Sequence, residues 1–198
     1  MINCSLLETI KNISRESGFA IAELLVVILG MHKEGLGRVS VSRKTSIGER
    51  RIRRINEYIK SLQKTRPELY EFITESIHQA SIITQPVKQY LLTIFHPVDP
   101  GLLKKVESKI VEVRDWIIVE TRDRECIEVI GVVLDRIIFP LVPEELSRRY
   151  IELVPATLLE KNSVLVLWRK HTPLLYESAV LNALVNICTE ISDLTKSL

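Results

Sequence analysis

One stretch of the chain combines the apolar spacing of an amphipathic helix with a dense run of basic side chains. Isoleucines about one helical turn apart mark its apolar side: Ile52, Ile55 and Ile59. Residues 46–49 read Ser-Ile-Gly-Glu, a pattern that is typical of a helix N-terminus. On a helical wheel the opposite side carries Arg50, Arg53 and Arg54. The sequence therefore predicts a helix over residues 49–60 with one side in the core and a cationic side facing solvent.

The positive charge of the chain is concentrated around this helix. Two acids between residues 38 and 66, Glu49 and Glu57, stand against ten basic side chains: Arg38, Arg43, Lys44, Arg50, Arg51, Arg53, Arg54, Lys60, Lys64 and Arg66. The segment therefore has a charge of +8, whereas the whole chain has +2 and the remainder −6. Such asymmetry is typical of a surface that binds a polyanion. The alternative is a solvated face, or one that pairs with acidic patches elsewhere in the chain.

The elements around the basic helix predict a DNA-binding architecture. Helices are predicted over residues 5–17 and 20–32, each followed by a glycine, and residues 39–44 fit either a short helix or a strand. Residues 61–65 and 69–73 predict a hairpin with Pro67 at its turn, and a further helix is predicted over 74–81. A helix, a turn, a basic helix and a hairpin follow one another as in a winged helix-turn-helix domain.

The second half of the sequence predicts alternating strands and helices. Gln85-Pro86 indicates a domain boundary near residues 84–86, because the residue before a proline disfavours the helical conformation. Beyond it, strands are predicted over 87–95, 116–120, 132–139 and 164–168, and helices over 102–113, 123–130 and 172–194. The predicted fold class is α+β, with a winged helix-turn-helix domain over residues 1–85 and a small α/β domain over 86–198 for dimerisation or ligand sensing.

Short motifs in both halves resemble a known group of sequences. Gly35-Leu36-Gly37-Arg38 and the segment from Ser46 to Arg53 are similar to the winged-helix segment of a family of uncharacterised archaeal proteins. The segment from Phe72 to Ser76 is similar to the family's hairpin, although a serine stands where glycine is expected, and Arg122-Asp123 and residues 132–140 are similar to its C-terminal half. The resemblance covers about half of the chain in patches. It implies a transcription regulator whose second domain has no assigned activity.

These observations predict a protein that binds double-stranded DNA and regulates transcription. The basic helix is expected to enter the major groove, where arginine bonds bidentately to guanine or to phosphate, while the other basic side chains between Arg38 and Arg66 bind flanking phosphates. One alternative is an RNA-associated or protein-interaction module that uses the same basic face. Another is a small enzyme with an appended winged helix, although no catalytic cluster is recognisable and we expect no enzymatic activity.

A weaker candidate site is the Arg122-Asp123 pair. It follows the strand predicted over residues 116–120, and the carboxyl ends of strands are where α/β sheets bind ligands, so an anionic effector is one interpretation. The simpler interpretation is that Asp123 caps the following helix and the neighbouring arginines pair with surface carboxylates. The four histidines (32, 78, 96 and 171) are isolated in the sequence, and glycine-rich phosphate loops are absent, so neither a metal nor a cofactor is predicted.

Cysteine spacing and hydropathy bear on location and assembly. Cys4, Cys126 and Cys188 are odd in number and far apart, which predicts neither a disulfide nor a zinc site and favours the cytoplasm. The longest apolar run, residues 20–30, is too short to span a bilayer and contains an acid, so no membrane partner is expected.

Residues 179–188 are apolar on almost every side of the helix predicted over 172–194. This pattern predicts a homodimer with that helix in or beside the interface, because DNA-binding helix-turn-helix proteins commonly dimerise to reach two half-sites. If the second domain senses a ligand, the partner is an unidentified small-molecule effector.

Overall fold

The computed structural model describes residues 1–158 and 160–194 of the chain, the last five of these as backbone only. Helices occupy most of residues 4–79: α1 (Cys4–Ser17), α2 (Ile21–Val27) with a π-helical continuation (Ile28–Lys33), α3 (Arg38–Thr45), α4 (Glu49–Thr65) and α5 (Pro67–Gln79). Helix α1 begins where the Asn3 side chain accepts a hydrogen bond from the Leu6 backbone N–H at 2.9 Å, and it ends at Gly18, which has a φ of 70°. The first two predicted helices are confirmed, and residues 39–44 are helical.

The hairpin predicted over residues 61–73 is wrong, because both of its strands lie in helices. Helix α4 continues to Thr65, and α5 begins at Pro67 after the extended residue Arg66. Proline suits a turn, but it equally suits the first position of a helix, where its missing N–H has no helical partner. Leu62 ends the buried side of α4, and Ile73 and Ile77 recur at helical spacing in α5, so the core favours helices in both segments.

An antiparallel five-stranded sheet forms the other part of the fold, with the spatial order β1-β2-β5-β3-β4. The strands are β1 (Ser81–Val87), β2 (Tyr90–His96), β3 (Ile127–Val133), β4 (Ile137–Ile138) and β5 (Ser163–Trp168). The helices are α6 (Pro100–Ser108), α7 (Ile110–Thr121), α8 (Glu144–Ile151) and α9 (Leu175–Leu194), with a 3-10 turn at Ala156–Leu158. The fold is therefore mixed α+β, as predicted.

Several predicted elements of the second half are corrected. The strand predicted over 116–120 lies in α7, the helix predicted over 123–130 is a turn followed by β3, and the strand over 132–139 divides into the end of β3 and β4. Isoleucine and valine favour strands, but Ile110, Val113 and Ile117 are buried at helical spacing, and that packing outweighs the local preference. The strand over 164–168 and the last helix are confirmed.

The linker predicted at residues 84–86 is wrong, since these residues lie inside β1 and pair with Leu91, Leu92 and Thr93 of β2. Pro86 is tolerated because β1 is an edge strand of the sheet. One hydrophobic cluster also includes residues from both predicted domains, among them Leu6, Leu25, Val106 and Leu184. The N-terminal helices and the sheet therefore share a core.

Helix α9 is the centre of that core. Its residues Ala179, Leu181, Leu184 and Ile187 are buried, and α9 packs against α1, α2, α6 and α7 of the same chain. Residues 179–188 are therefore covered within one chain, so their apolar pattern no longer calls for a subunit interface, and a dimer with this helix in or beside the interface stays a prediction. The opposite face of the sheet packs against residues from α8 and the following loop, including Tyr150 and Val154.

A disulfide joins Cys4 of α1 to Cys188 of α9, with the Cα atoms 5.4 Å apart, and Cys126 is a buried free thiol. The prediction that the cysteines form no disulfide is wrong, because a separation of 184 positions says nothing about proximity after folding. No group of histidine, cysteine or acidic side chains able to hold a metal ion occurs among the described residues. None of the helices in the described ranges is long and apolar enough to cross a membrane.

We expect the Cys4–Cys188 bond to stabilise the fold substantially, because it closes a loop of nearly the whole chain in the unfolded state. Cys4→Ser should lower the free energy of unfolding by on the order of 2–5 kcal/mol, measured by denaturant unfolding under oxidising conditions. Reductant should bring the wild type down to the value of the variant and leave the variant unchanged. A fully reduced wild type with an unchanged midpoint would contradict the prediction.

Candidate nucleic-acid interface

Helices α3 and α4 meet at a tight turn that positions the basic residues. Ser46 ends α3 in the left-handed conformation with a φ of 59°, and Gly48 precedes α4 in an extended conformation. The side chain of Val41 is fully buried, and the Thr45 hydroxyl donates to the Val41 carbonyl at 2.8 Å, so α3 is held on the core by its inner side. A helix, a short turn and a second helix therefore follow one another, with the arginine-rich segment on the second helix.

Helix α4 separates its buried and charged sides as predicted. The buried side chains are Ile52, Ile55, Asn56, Ile59 and Leu62. The opposite, exposed side carries Arg50, Arg53, Arg54, Lys60 and Lys64. Arg38, at the start of α3, lines a shallow cleft with Glu49, Arg50 and Arg53. We call Arg38 together with these five side chains of α4 the basic face.

Most of the basic face is free of acidic partners. Arg53 has a loose contact with Glu57, with 3.7 Å between Nε and Oε1, and both side chains are exposed. Within the described part of the chain, Arg50, Arg54, Lys60 and Lys64 have no carboxylate within 4 Å. Ionic contacts in solvent of this kind contribute little to stability. The face is therefore available to an external anion.

Arg51 belongs to the fold and not to the basic face. Its guanidinium forms a bidentate ion pair with Glu23 of α2, with 3.1 Å from Nε to Oε1 and 2.8 Å from Nη2 to Oε2. It also lies over the ring of Phe19, 4.7 Å from the centroid. The hydrogen bonds to Glu23 raise the pKa of Arg51. Among the predicted DNA contacts, Arg51 is thus used to attach α4 to α2.

The remaining predicted contacts divide into two groups. Arg66 pairs with Glu16 of α1 at 2.7 Å, which ties the end of α4 to the first helix. Arg43 and Lys44 are exposed near the end of α3, and Lys44 lines a second cleft on the side of the sheet. Of the ten basic residues, Arg38, Arg50 and Arg53 line one shared cleft.

A polar contact beneath the basic helix was not predicted from the sequence. His32 of the π-helical turn donates from Nε2 to Asn56 Oδ1 of α4 at 3.1 Å, and its ring lies edge-on to Tyr70 of α5. Burial lowers the pKa of His32 and outweighs the opposing effect of the Asn56 hydrogen bond, and Lys60 and His78 lower the pKa further by smaller amounts. Lys33 donates to the carbonyls of Ile77, at 3.1 Å, and Ala80. These contacts fix the turn against α4 and α5, and no spacing in the sequence signals them.

The Arg122-Asp123 pair does not follow a strand. Arg122 ends α7 in the left-handed conformation with a φ of 56° and is exposed. Asp123 accepts hydrogen bonds from the Glu125 backbone N–H at 3.0 Å and from the Tyr176 hydroxyl at 3.5 Å. The sheet-edge geometry on which the ligand hypothesis depended is absent at these two residues. Asp123 instead stabilises a turn between α7 and β3.

Comparisons with known proteins give little guidance. No family model matches the chain, and no curated protein matches it. Among solved structures, the chain is similar to "Hypothetical protein PH0730 from Pyrococcus horikoshii OT3", with 17% sequence identity and a TM-score of 0.45. The match covers 87% of this chain and 92% of that chain. A likeness of this size carries no conclusion about fold or function.

The lowered pKa of His32 predicts an acid-sensitive contact beneath the basic helix. Between pH 6.5 and the lower pKa of His32 in the folded protein, His32 binds a proton in the unfolded chain but not in the folded one. The free energy of unfolding is therefore highest at neutral pH and falls as the pH drops from 6.5 towards the folded-state pKa. His32→Gln, which keeps a polar side chain but does not titrate, should reduce the loss of unfolding free energy between pH 7.5 and about 5.5. His78→Gln, at an exposed position on α5 that makes the smallest contribution to the lowered pKa of His32, should change the pH dependence much less. Equal pH dependence in wild type and His32→Gln would contradict the prediction.

Proposed function

We propose that the protein binds double-stranded DNA through the basic face, with α4 in the major groove, and that it regulates transcription. The observation that carries the proposal is the division of α4 into a buried apolar side and an exposed side with Arg50, Arg53, Arg54, Lys60 and Lys64. A recognition helix needs both sides, because it must be anchored on the protein while it contacts base edges and phosphates.

The positions of the basic residues along α4 suit different parts of a DNA site. Arg50, Arg53 and Arg54 lie in the first turns of the helix, where recognition helices contact bases. Lys60 and Lys64 lie two to four turns further on, at about 1.5 Å of rise per residue, where a helix leaves the groove and meets phosphates. Arg38 is beside the N-terminal arginines and extends the phosphate-binding surface.

The proposal does not depend on the predicted wing. Residues 61–73 are helical, so the DNA-binding unit is proposed as α2, α3 and α4 with α5 behind them. The winged-helix description therefore stays a hypothesis that needs a different segment as wing. The homodimer also stays a prediction.

Duplex DNA is favoured over RNA by groove dimensions. The major groove of B-form DNA admits an α-helix, whereas that of A-form RNA is too narrow and deep for side-chain readout. Helix α4 presents its cationic side chains along one exposed side that also includes Glu57. Its one aromatic residue, Tyr58, is at the border with the core, so this side offers no aromatic ring for stacking on unpaired bases. RNA and an acidic protein partner are therefore outcomes of the test below.

We expect binding to a fluorescein-labelled duplex, measured by fluorescence anisotropy, to weaken steeply with salt. Five to eight phosphate contacts give a log–log slope of about −4 to −7. The double variant Arg54→Ala/Lys60→Ala should lose about tenfold or more in affinity and flatten the slope by about two. Both side chains are exposed, so the melting temperature should stay unchanged.

Arg114→Ala is the matched control, since Arg114 is an exposed arginine of α7 outside the basic face. This variant should bind DNA with the affinity of the wild type. Competition with unlabelled hairpin RNA distinguishes the two nucleic acids. The proposal would be overturned if the affinity for duplex DNA does not depend on salt concentration, or if the double variant has the same affinity as the wild type. Tighter binding to RNA would replace it with the RNA-associated alternative.

A further inference from the structure

A cleft of about 430 Å³ lies between the N-terminal helices and the sheet. Its walls come from the π-helical turn after α2, from α3, from β1 and β2, and from the loop and first turn of α9. Its volume is within the range of small-molecule sites in proteins, which is about 300–1,000 Å³. Neither the sequence motifs nor the proposed DNA interface accounts for it.

The inner end of the cleft contains a buried acid and a buried histidine. The side chain of Glu177 is only 10% exposed and that of His171 only 3%. Glu177 Oε1 lies 2.9 Å from His171 Nε2, and it also accepts a hydrogen bond from the Thr84 hydroxyl at 3.1 Å. Two buried titratable groups at the end of a cleft are unusual, because burial without full pairing disfavours the charged form.

A chain of hydrogen bonds with a fixed direction ends on this carboxylate. The Trp168 indole N–H donates to the Thr93 hydroxyl at 2.8 Å, and an indole nitrogen is a donor only. The Thr93 hydroxyl, 2.8 Å from that of Thr84, therefore donates its own hydrogen to Thr84, which donates in turn to Glu177 Oε1. Every donor along the chain points towards Glu177, and this polarity holds Glu177 as an acceptor.

The second carboxylate oxygen, Glu177 Oε2, is buried and has no hydrogen-bond partner, and the same is true of His171 Nε2, whose contact with Glu177 is close but poorly directed. Leaving a buried carboxylate oxygen unpaired is unfavourable, because the oxygen loses its hydrogen bonds to water and gains none in the protein. The missing partner must be a hydrogen-bond donor. Lys33, a donor in the cleft wall, directs two of its three N–H bonds to the Ile77 and Ala80 carbonyls.

The rest of the cleft defines the kind of molecule that supplies this donor. The aliphatic part of the wall comes from Leu29, Ile82, Leu91, Pro173 and Leu174. A second acid, Glu34, lines the cleft, where burial raises its pKa with a smaller contribution from Glu177 and an opposing one from Lys44. Glu34 has Lys44 and Lys33 beside it in the lining, so the unpaired Glu177 Oε2 at the inner end selects the donor. This oxygen and the aliphatic part of the wall suit a cationic donor joined to a hydrocarbon body.

We propose that this cleft is a binding site for a small molecule that carries a primary ammonium group on an aliphatic chain, with the ammonium on Glu177 Oε2 and the chain against the aliphatic wall. The same chemistry is present in simple alkylamines and in aliphatic amino acids. Lys44 separates the two sources, because an amino acid has a carboxylate for Lys44 and an alkylamine does not. The site is independent of the proposed DNA interface.

The test uses the full chain, with 3-methylbutylamine and leucine as probes and 3-methylbutanol as the neutral control, by isothermal titration calorimetry. At least one ammonium probe should bind, and 3-methylbutanol should bind at least tenfold more weakly. Glu177→Gln keeps the acceptor for Thr84 but removes the charge, so it should weaken binding of the ammonium probe at least tenfold. Glu125→Gln, at an exposed position outside the cleft, is the matched control and should bind as the wild type does.

Substitutions of Lys44 and Leu91 test the charge and the volume of the cleft separately. Lys44→Gln should weaken binding of leucine and leave 3-methylbutylamine unchanged or tighter, which identifies the source. If Glu177→Gln fails to fold, Leu91→Phe fills the cleft from a half-buried position and should abolish binding. The proposal would be overturned if neither ammonium probe binds the wild type at concentrations up to about 10 mM. Equal affinity for the ammonium and neutral probes, or undiminished binding by a folded Glu177→Gln, would do the same.

Discussion

Helix α9 is apolar on almost every side, and the rest of the structure is arranged to cover it. Burial of an aliphatic side chain stabilises a fold by about 1.5–3 kcal/mol, so a helix with this many apolar residues needs neighbours all round. The neighbours are α1 and α2 on one side and α6 and α7 on another, and the Cys4–Cys188 disulfide secures the contact with α1. The basic helix is therefore attached, through α1 and α2, to the same core as the sheet.

The position of a side chain around α4 decides whether an arginine belongs to the fold or to the surface. Arg50 and Arg51 are neighbours in sequence, yet Arg50 faces solvent and Arg51 pairs with Glu23 and lies over Phe19. The difference is the 100° rotation between successive helical residues. Arg66 is likewise used in the fold, through Glu16. The basic face is thus smaller than the basic segment, and its α4 side chains lie on one exposed side of the helix.

The cleft and the basic face share α3, although they lie at different sites. Lys44 of α3 lines the cleft, while Arg38 at the other end of α3 joins the arginines of α4. The inner end of the cleft depends on long-range contacts, since Thr84 and Glu177 are 93 positions apart and Thr93 and Trp168 are 75 apart. No spacing in the sequence links these residues, so neither His171 nor Glu177 was recognisable as part of a site.

Local periodicity was enough to determine α1, residues 49–60 of α4, β5, α9 and the exposed side of the basic helix, because each pattern is complete within a few turns or one strand. It was not enough for residues 61–73 or 116–120, where proline, isoleucine and valine suit two kinds of element and burial selects one. The coverage of α9, the Cys4–Cys188 bond and the His171–Glu177 pair were decided by tertiary structure alone. Each joins segments that are distant in sequence, and proximity of that kind arises only when the whole core has formed.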